Sequence, residues 1–300
     1  MTTNLFKEIH QIPAAAARGA LYSMPQLPAV SHVYTLARGS SDHAAQVLNR
    51  LIGRHLGLPA SALAPGQVDG LTFSQSLVIA ISQSGASPDL VKAVGAARAG
   101  GASTLGLINQ ANSALHPQCD QVVPLLAGPE LSVAATKSFF QSVLMGYRLI
   151  NPGYQPPLLS APTLDLALQQ FLVEQPILTV LGRGETLGLA REVALKIQEL
   201  LGKPAFAYSS AEVVHGPKAM VMESSAILVL AGGSYRDELI RTGAQWQAWG
   251  RPVQTRLSEL GVLDALYDMP TIYLALEAAC RALGRPVDAP IGLKKVTLTR

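Results

Sequence analysis

Leu77-Val78-Ile79-Ala80-Ile81-Ser82-Gln83-Ser84-Gly85-Ala86-Ser87-Pro88 is the stretch that sets the fold. Its apolar run is short and rich in β-branched residues, and reads as a strand from Leu77 to Ser82. The Ser/Gly turn ends that strand. Ser87 followed by Pro88 has the form of an N-cap and a first helical residue, so a helix follows from Pro88 to Ala99. Strand, polar turn and helix in that order begin a βαβ unit, the building block of a parallel sheet.

The same alternation continues on either side. Upstream, Val33 to Ala37 reads as a strand and Ser41 to Leu56 as a helix. Downstream, Ser103 to Ile108 and Gln121 to Leu126 read as strands and Ser132 to Leu149 as a long helix. Between Ile150 and Pro162 stand Pro152, Pro156, Pro157 and Pro162, which disfavour both helix and ladder pairing and mark a connection. Two domains follow from this: residues 1–155, with an N-terminal helix, and residues 156–300, with a C-terminal tail. The second half resumes the order with a strand from Ile177 to Gly182, a helix from Glu185 to Leu201 and a strand from Ala205 to Tyr208. A short helix from Ser210, a strand from Ala226 to Ala231, a helix from Asp237 to Gly250 and a strand near Val253 complete it. Leu36-Ala37-Arg38-Gly39-Ser40 is echoed by Val180-Leu181-Gly182-Arg183-Gly184, which suggests an internal duplication.

Composition narrows the class. Hydrophobic residues make up 49% of the chain and charged residues 14%, a balance that supplies a sizeable core. No stretch approaches the roughly 18 uninterrupted apolar residues of a membrane helix, and the N-terminus lacks an export signal, so a soluble, cytoplasmic protein is expected. Cys119 and Cys280 are far apart and in no metal-like spacing, which fits a reducing compartment. A net charge of +3 with scattered Lys and Arg gives no basic run for nucleic acid. The lack of a Cys/His/Asp cluster at ligand spacing points away from a metal.

Candidate chemistry gathers at the turns. Gly39-Ser40-Ser41 and Ser82-Gln83-Ser84-Gly85-Ala86-Ser87 each stand between a strand and a helix, where open parallel sheets bind ligands. Hydroxyls and free N–H groups at a helix start suit an anion. Helix capping alone would require only one of Ser82, Ser84 and Ser87. Neither turn is a Walker A loop or a full Gly-x-Gly-x-x-Gly fingerprint. On a helical wheel of about 100° per residue, Leu187, Ala190, Ala194, Ile197 and Leu201 form the buried face. Glu192, Lys196 and Glu199 share the opposite arc, which reads as a solvated salt-bridge face. His215, placed at a turn by Gly216 and Pro217, is either a surface or cap residue or a proton shuttle.

Five motifs in order give a family resemblance. Arg38-Gly39-Ser40-Ser41, Ser82-Gln83-Ser84-Gly85, Glu130-Leu131-Ser132-Val133-Ala134-Ala135-Thr136-Lys137, Ala194-Leu195-Lys196-Ile197-Gln198-Glu199 and Glu212-Val213-Val214-His215-Gly216-Pro217 resemble the sugar-isomerase (SIS) domains. The similarity is to glucosamine-6-phosphate synthase and to single-polypeptide glucosamine-6-phosphate deaminases. It implies an α/β fold of two tandem SIS domains, each a mostly parallel sheet flanked by helices in a flavodoxin-like three-layer αβα arrangement. It also implies that Ser40, Ser41, Ser82, Gln83, Ser84 and Ser87 hold the phosphate and hydroxyls of a hexose 6-phosphate, with Val133 lining the site. By the same resemblance Glu199 moves a proton between C1 and C2, His215 assists ring opening, and a C-terminal lysine, Lys294 or Lys295, neutralises an enolate or forms a Schiff base. A homodimer with the site at or near the subunit interface is implied as well, without metal or organic cofactor. Arg38 stands where the synthase has cysteine and Ser87 where it has threonine, and Arg38-Gly39-Ser40-Ser41 together with Ala134-Ala135-Thr136-Lys137-Ser138 looks more like the deaminase branch. No glutamine-hydrolysing segment precedes Val33, so free ammonia is expected.

The expected reaction is conversion of glucosamine 6-phosphate to fructose 6-phosphate and ammonia. A deglycase or an aldose–ketose isomerase for another hexose 6-phosphate is the alternative. A non-catalytic sugar-phosphate sensor is a third reading, disfavoured because Glu199 and His215 are both present and the segment before Val33 is short for a DNA-binding domain.

Overall fold

The structure, a computed structural model, describes residues 2–258, 261 and 263–295. In chain order its elements are α1 (Asn4–His10), α2 (Ile12–Ala20), β1 (His32–Leu36), α3 (Ser40–Leu56), β2 (Ala60–Leu63), β3 (Ser76–Ser82), α4 (Pro88–Ala99), β4 (Ser103–Ile108), β5 (Gln121–Pro124) and α5 (Lys137–Ile150). They continue with α6 (Leu166–Glu174), β6 (Leu178–Gly182), α7 (Glu185–Lys196), β7 (Ala205–Ser209), α8 (Lys218–Ser224), β8 (Ala226–Ala231), α9 (Arg236–Ala248), β9 (Val253–Leu257) and α10 (Asp264–Ala282).

The first sheet is parallel, in the order β2-β1-β3-β4-β5. Every residue of β3 is buried, as expected for a parallel strand covered on both faces. Because alternate side chains point to opposite faces, Leu36, Val78 and Ala80 pack with Leu90, Ala93 and Val94 of α4 on one side. On the other, Thr35 accepts a hydrogen bond from Asn49 of α3 at 2.9 Å. Gly146 of α5 lets its helix approach Leu48 and Leu107 on that face.

The second sheet, β7-β6-β8-β9, is also parallel and repeats the first four positions of that order. Leu181, Ile227 and Val229 form a core with Val213, Leu239 and Trp246. The duplication extends to single residues. Gly39 (φ 54°, ψ −131°) and Gly184 (φ 59°, ψ −121°) hold nearly the same backbone conformation at the starts of α3 and α7. The arginine before each glycine reaches the first turn of the helix after the third strand. Arg38 meets Asp89 at 2.7 Å, and Arg183 meets Glu238 at 2.6 Å.

By compactness the chain forms two units, each drawn from separated stretches. Gln11–Glu130, Lys137–Leu159 and residues 294–295 make the first, which holds the larger sheet. Residues 2–10, Leu131–Thr136 and Ser160–Leu293 make the second. This differs from an uninterrupted split at 155/156, and hydrogen bonds give the reason. The Asp288 carboxylate accepts the N–H groups of Asn4 and Leu5, both at 2.9 Å, so α1 is capped from the far end of the chain. The Glu8 carboxylate accepts from the backbone of Leu131 and Ser132.

Two expected elements are shorter than predicted. The strand from Gln121 ends at Pro124, because Leu126 has a left-handed backbone (φ 57°) that no strand continues. The helix expected from Ser132 starts at Lys137, since the Val133 N–H bonds to the Asp288 carbonyl at 3.0 Å and Glu130 caps Ser138. The helix expected from Ser210 is instead a 3₁₀ turn at Glu212–Val214 followed by α8. Cys119 and Cys280 are free, and burial pushes both thiols up to about 11. Among the described residues, no helix is long and apolar enough to cross a membrane.

Candidate active site

In the first unit, adjacent strands β1 and β3 end in the two serine turns. The Arg38–Asp89 ion pair ties one turn to the helix that follows the other. Ser41 donates its N–H to the Arg38 carbonyl at 3.1 Å, and among the described residues its hydroxyl has no partner. Within the second turn, the Ser82 hydroxyl accepts from the Gly85 N–H at 2.9 Å and the Ser84 hydroxyl from the Ala86 N–H at 3.3 Å. Ser87 is the N-cap of α4, yet its side chain makes no capping bond, so the capping role is left unfilled and the hydroxyl is available. Gln83 is half-buried, and its amide has no partner among the described residues.

A neighbouring segment holds this turn in shape. Asn109, Gln110 and Leu115 donate their N–H groups to the carbonyls of Ser82, Gln83 and Gly85 at 3.2, 3.0 and 3.0 Å. Gly85 has φ 60°, and a Cβ there would lie 2.0 Å from Ser113 Oγ. Glycine is therefore required both by conformation and by space. The donors of the turn are thus held in position.

The second unit holds Glu199 and His215. Helix α7 runs into a π-helical turn, Ile197–Leu201, that carries Glu199. The arc expected to face solvent is buried: the side chains of Glu192 and Lys196 are 0% exposed and that of Glu199 is 18% exposed. Lys196 Nζ lies 3.3 Å from Glu192 and 2.5 Å from Glu199. Burial opposes the Lys196 charge, and the carboxylates of Glu192 and Glu199 more than offset it, holding its pKa above the ordinary lysine value. The lysine is therefore a fixed cation that orients a partly exposed carboxylate.

His215 is exposed at the residue closing the 3₁₀ turn, with its N–H on the Glu212 carbonyl at 2.9 Å. Topology separates it from Glu199. The π turn leads into β7, and the Gln198 amide donates to the Ala205 carbonyl at the strand's start. His215 follows the strand's other end, so the two residues are attached at opposite ends of β7. Val133, of the same unit, is half-buried.

Of the two C-terminal lysines, Lys294 is exposed, whereas Lys295 bonds to Glu130 at 3.2 Å. Glu130 is buried and also accepts from the Ser138 N–H and hydroxyl at 3.1 and 2.6 Å. Val296 and Thr297, which follow them, lie outside the described residues. Among the described residues, no group of three His, Cys, Asp or Glu side chains could hold a metal ion.

A family model described as the SIS domain matches residues 27–152 and 171–253, one segment in each sheet. The chain belongs to the SIS domain family. It is 31% identical to a protein from Silicibacter pomeroyi DSS-3 assigned as a phosphosugar isomerase, with a TM-score of 0.82 over 95% of this chain and 99% of that one. It is 28% identical, over 97% of its length, to 58% of the glutamine–fructose-6-phosphate aminotransferase of Halobacterium salinarum. The glucosamine-6-phosphate deaminase of Thermotoga maritima shares the fold at 18% identity, with a TM-score of 0.79 over 99% of this chain and 100% of that one. The chain spans about half the length of the curated relatives it matches.

Sequence alone does not mark three features of this SIS chain. Glu192 and Lys196 share the arc of Glu199, which by periodicity faces solvent, yet both are buried. The burial of Glu130 beside Lys295 has no local signal. The 109–115 segment that fixes the Ser82 turn is visible only once β4 is placed beside β3.

Proposed function

We propose that the chain is a phosphosugar enzyme that converts glucosamine 6-phosphate and water to fructose 6-phosphate and ammonia. Ser40, Ser41, Ser82, Gln83, Ser84 and Ser87 take the phosphate and sugar hydroxyls, since their donors stand at helix starts where an anion is favoured. Val133 lines the site. His215 relays protons between O1 and O5 as the ring opens, a task an imidazole, with one nitrogen to donate and one to accept, is built for. Glu199 then carries a proton from C2 to C1, water adds at the resulting C2 imine, and ammonia leaves. Lys294 or Lys295 meets the developing enolate or the ketose carbonyl. No metal or organic cofactor takes part.

One observation carries this reading: in a SIS-family chain, Glu199 is the partly exposed member of an otherwise buried cluster, anchored by Lys196 at 2.5 Å. A carboxylate so held can transfer a proton without reorienting. The attachment of Glu199 and His215 at opposite ends of β7 supports a homodimer in which His215 of the partner subunit completes each site. The strand order 2-1-3-4-5 of the first sheet supports a flavodoxin-like three-layer arrangement in each half. The deaminase choice rests on Arg38-Gly39-Ser40-Ser41, which departs from the synthase pattern.

A coupled assay for ammonia and fructose 6-phosphate tests the reading. Wild type is expected to turn over glucosamine 6-phosphate equally well after dialysis against a chelator. Glu199→Gln is expected to lose at least about 100-fold in turnover, the usual scale for a general acid–base group. No ammonia from wild type, or an unchanged rate in Glu199→Gln, would defeat the proposal. Turnover confined to a fructosamine 6-phosphate or an aldose phosphate would move the activity to a deglycase or a plain isomerase.

A further inference from the structure

The two repeats present similar turns at the same strand edge, but their donors face different partners. In the first repeat, Ser40 and Ser41 open α3, and among the described residues no carboxylate accepts from residues 82–87. In the second, Glu185 stands where the first has Ser40, and Thr186 where it has Ser41. Glu185 is only 2% exposed and turns toward the loop after β8. Its Oε1 accepts from the Ser234 hydroxyl at 2.9 Å, and its Oε2 from the Ser234 N–H at 3.4 Å. The same loop's Gly233 N–H donates to Asp264 at 3.1 Å. A Cβ on Gly233 would lie 3.0 Å from Glu185 Oε2, and one on Gly232 would lie 2.8 Å from Asp264 Oδ1. The two glycines therefore admit both carboxylates against the backbone. Thr186 Oγ1 is also engaged, accepting from the Arg183 N–H at 3.0 Å.

The second repeat has room for a ligand. A cavity of about 480 Å³ opens beside Ser234, with Arg236 and Arg241 in its lining next to Asp237 and Glu238. The local donors, however, already have a carboxylate for a partner, and a second anion brought beside it would be repelled.

We infer that Glu185, backed by Asp264, is a built-in substitute for the ligand's phosphate, so that the second repeat is closed to phosphosugar and each chain takes one ligand. The inference deepens the proposed function and rests on its reading that the serine turns of the first repeat hold phosphate. Selectivity between the repeats then turns on the residue that opens the first helix, serine in one and glutamate in the other.

Calorimetric titration of the full chain with inorganic phosphate and with glucosamine 6-phosphate tests this. Wild type is expected to bind a single equivalent, lost in the double variant Ser84→Ala/Ser87→Ala. Glu185→Ser, which installs the first repeat's residue, is expected to gain a second equivalent of inorganic phosphate that survives in the serine-substituted background. Glu185→Gln removes the charge while keeping the shape, and it should gain the same equivalent more weakly. Circular dichroism identifies a variant that has not folded, and Glu185→Gln then gives the answer. The inference is overturned if folded Glu185 variants take up no more phosphate than wild type. It is also overturned if wild type binds a second equivalent that persists without Ser84 and Ser87. Absence of the serine-dependent equivalent would instead strike at the phosphosugar reading, and the gain in the Glu185 variants is measured independently of it.

Discussion

Lys196 shows how one side chain couples stability to chemistry. Removing it leaves the buried Glu192 without its counter-ion, a change that costs about 3–5 kcal/mol when one partner of a buried pair is lost. Lys196→Met is expected to lower the unfolding free energy by an amount of that order, seen as a fall in melting temperature, and to reduce turnover. Glu192→Gln/Lys196→Met should recover part of the stability without the turnover. The pH dependence has a definite sign. Because the folded pKa of Lys196 lies above its unfolded value, its contribution is complete below about pH 10.4 and is lost as pH rises through the folded value. The melting difference between wild type and Lys196→Met should therefore stay constant to about pH 10 and shrink above it. The charged residues at this point were legible in the sequence as an arc of Glu192, Lys196 and Glu199; their burial was not. A wheel assigns one face to the sheet and leaves the other to water, but α10, far along the chain, packs against α7 and the turn after it. Cys280 of α10 reaches the Leu200 carbonyl at 3.2 Å. No local period announces a second covering layer.

At the scale of elements, the glycines before α3 and α7 set where each helix begins. Nothing crowds a Cβ at Gly39, so the cost of alanine there comes from backbone conformation alone, about 1–3 kcal/mol. Gly39→Ala should lower thermal stability by that order and raise KM for the phosphosugar, because Ser40 and Ser41 shift with the helix start. Gly184→Ala should destabilise comparably and leave KM unchanged, since its helix opens onto Glu185. Thermal melts and steady-state kinetics on the two variants separate these outcomes. The strands and most helices were readable because parallel strands buried on both faces are short apolar runs closed by glycine and serine. The exceptions have specific causes: the apolar run continues through Leu126, but that residue turns left-handed and ends the strand. Ala134 and Ala135 favour helix, yet they lie in a short stretch grouped with residues from much later in the chain.

For the whole molecule, the proposed sharing of sites between subunits makes a quantitative prediction. Glu199→Gln and His215→Ala are each expected to be inactive as homodimers. Unfolded together and refolded in equal amounts, they should recover about a quarter of wild-type activity, since half of the dimers are mixed and each mixed dimer has one intact site. Recovery of none would place both groups in one chain. The division into interleaved units also bears on how the chain matures. Leu5, Ile9 and the capped N–H groups of α1 find their burial and their Asp288 acceptor only near the other terminus. During synthesis this first helix leaves the ribosome long before its acceptor exists, so its N–H groups must wait without that cap until the growing chain has reached Asp288.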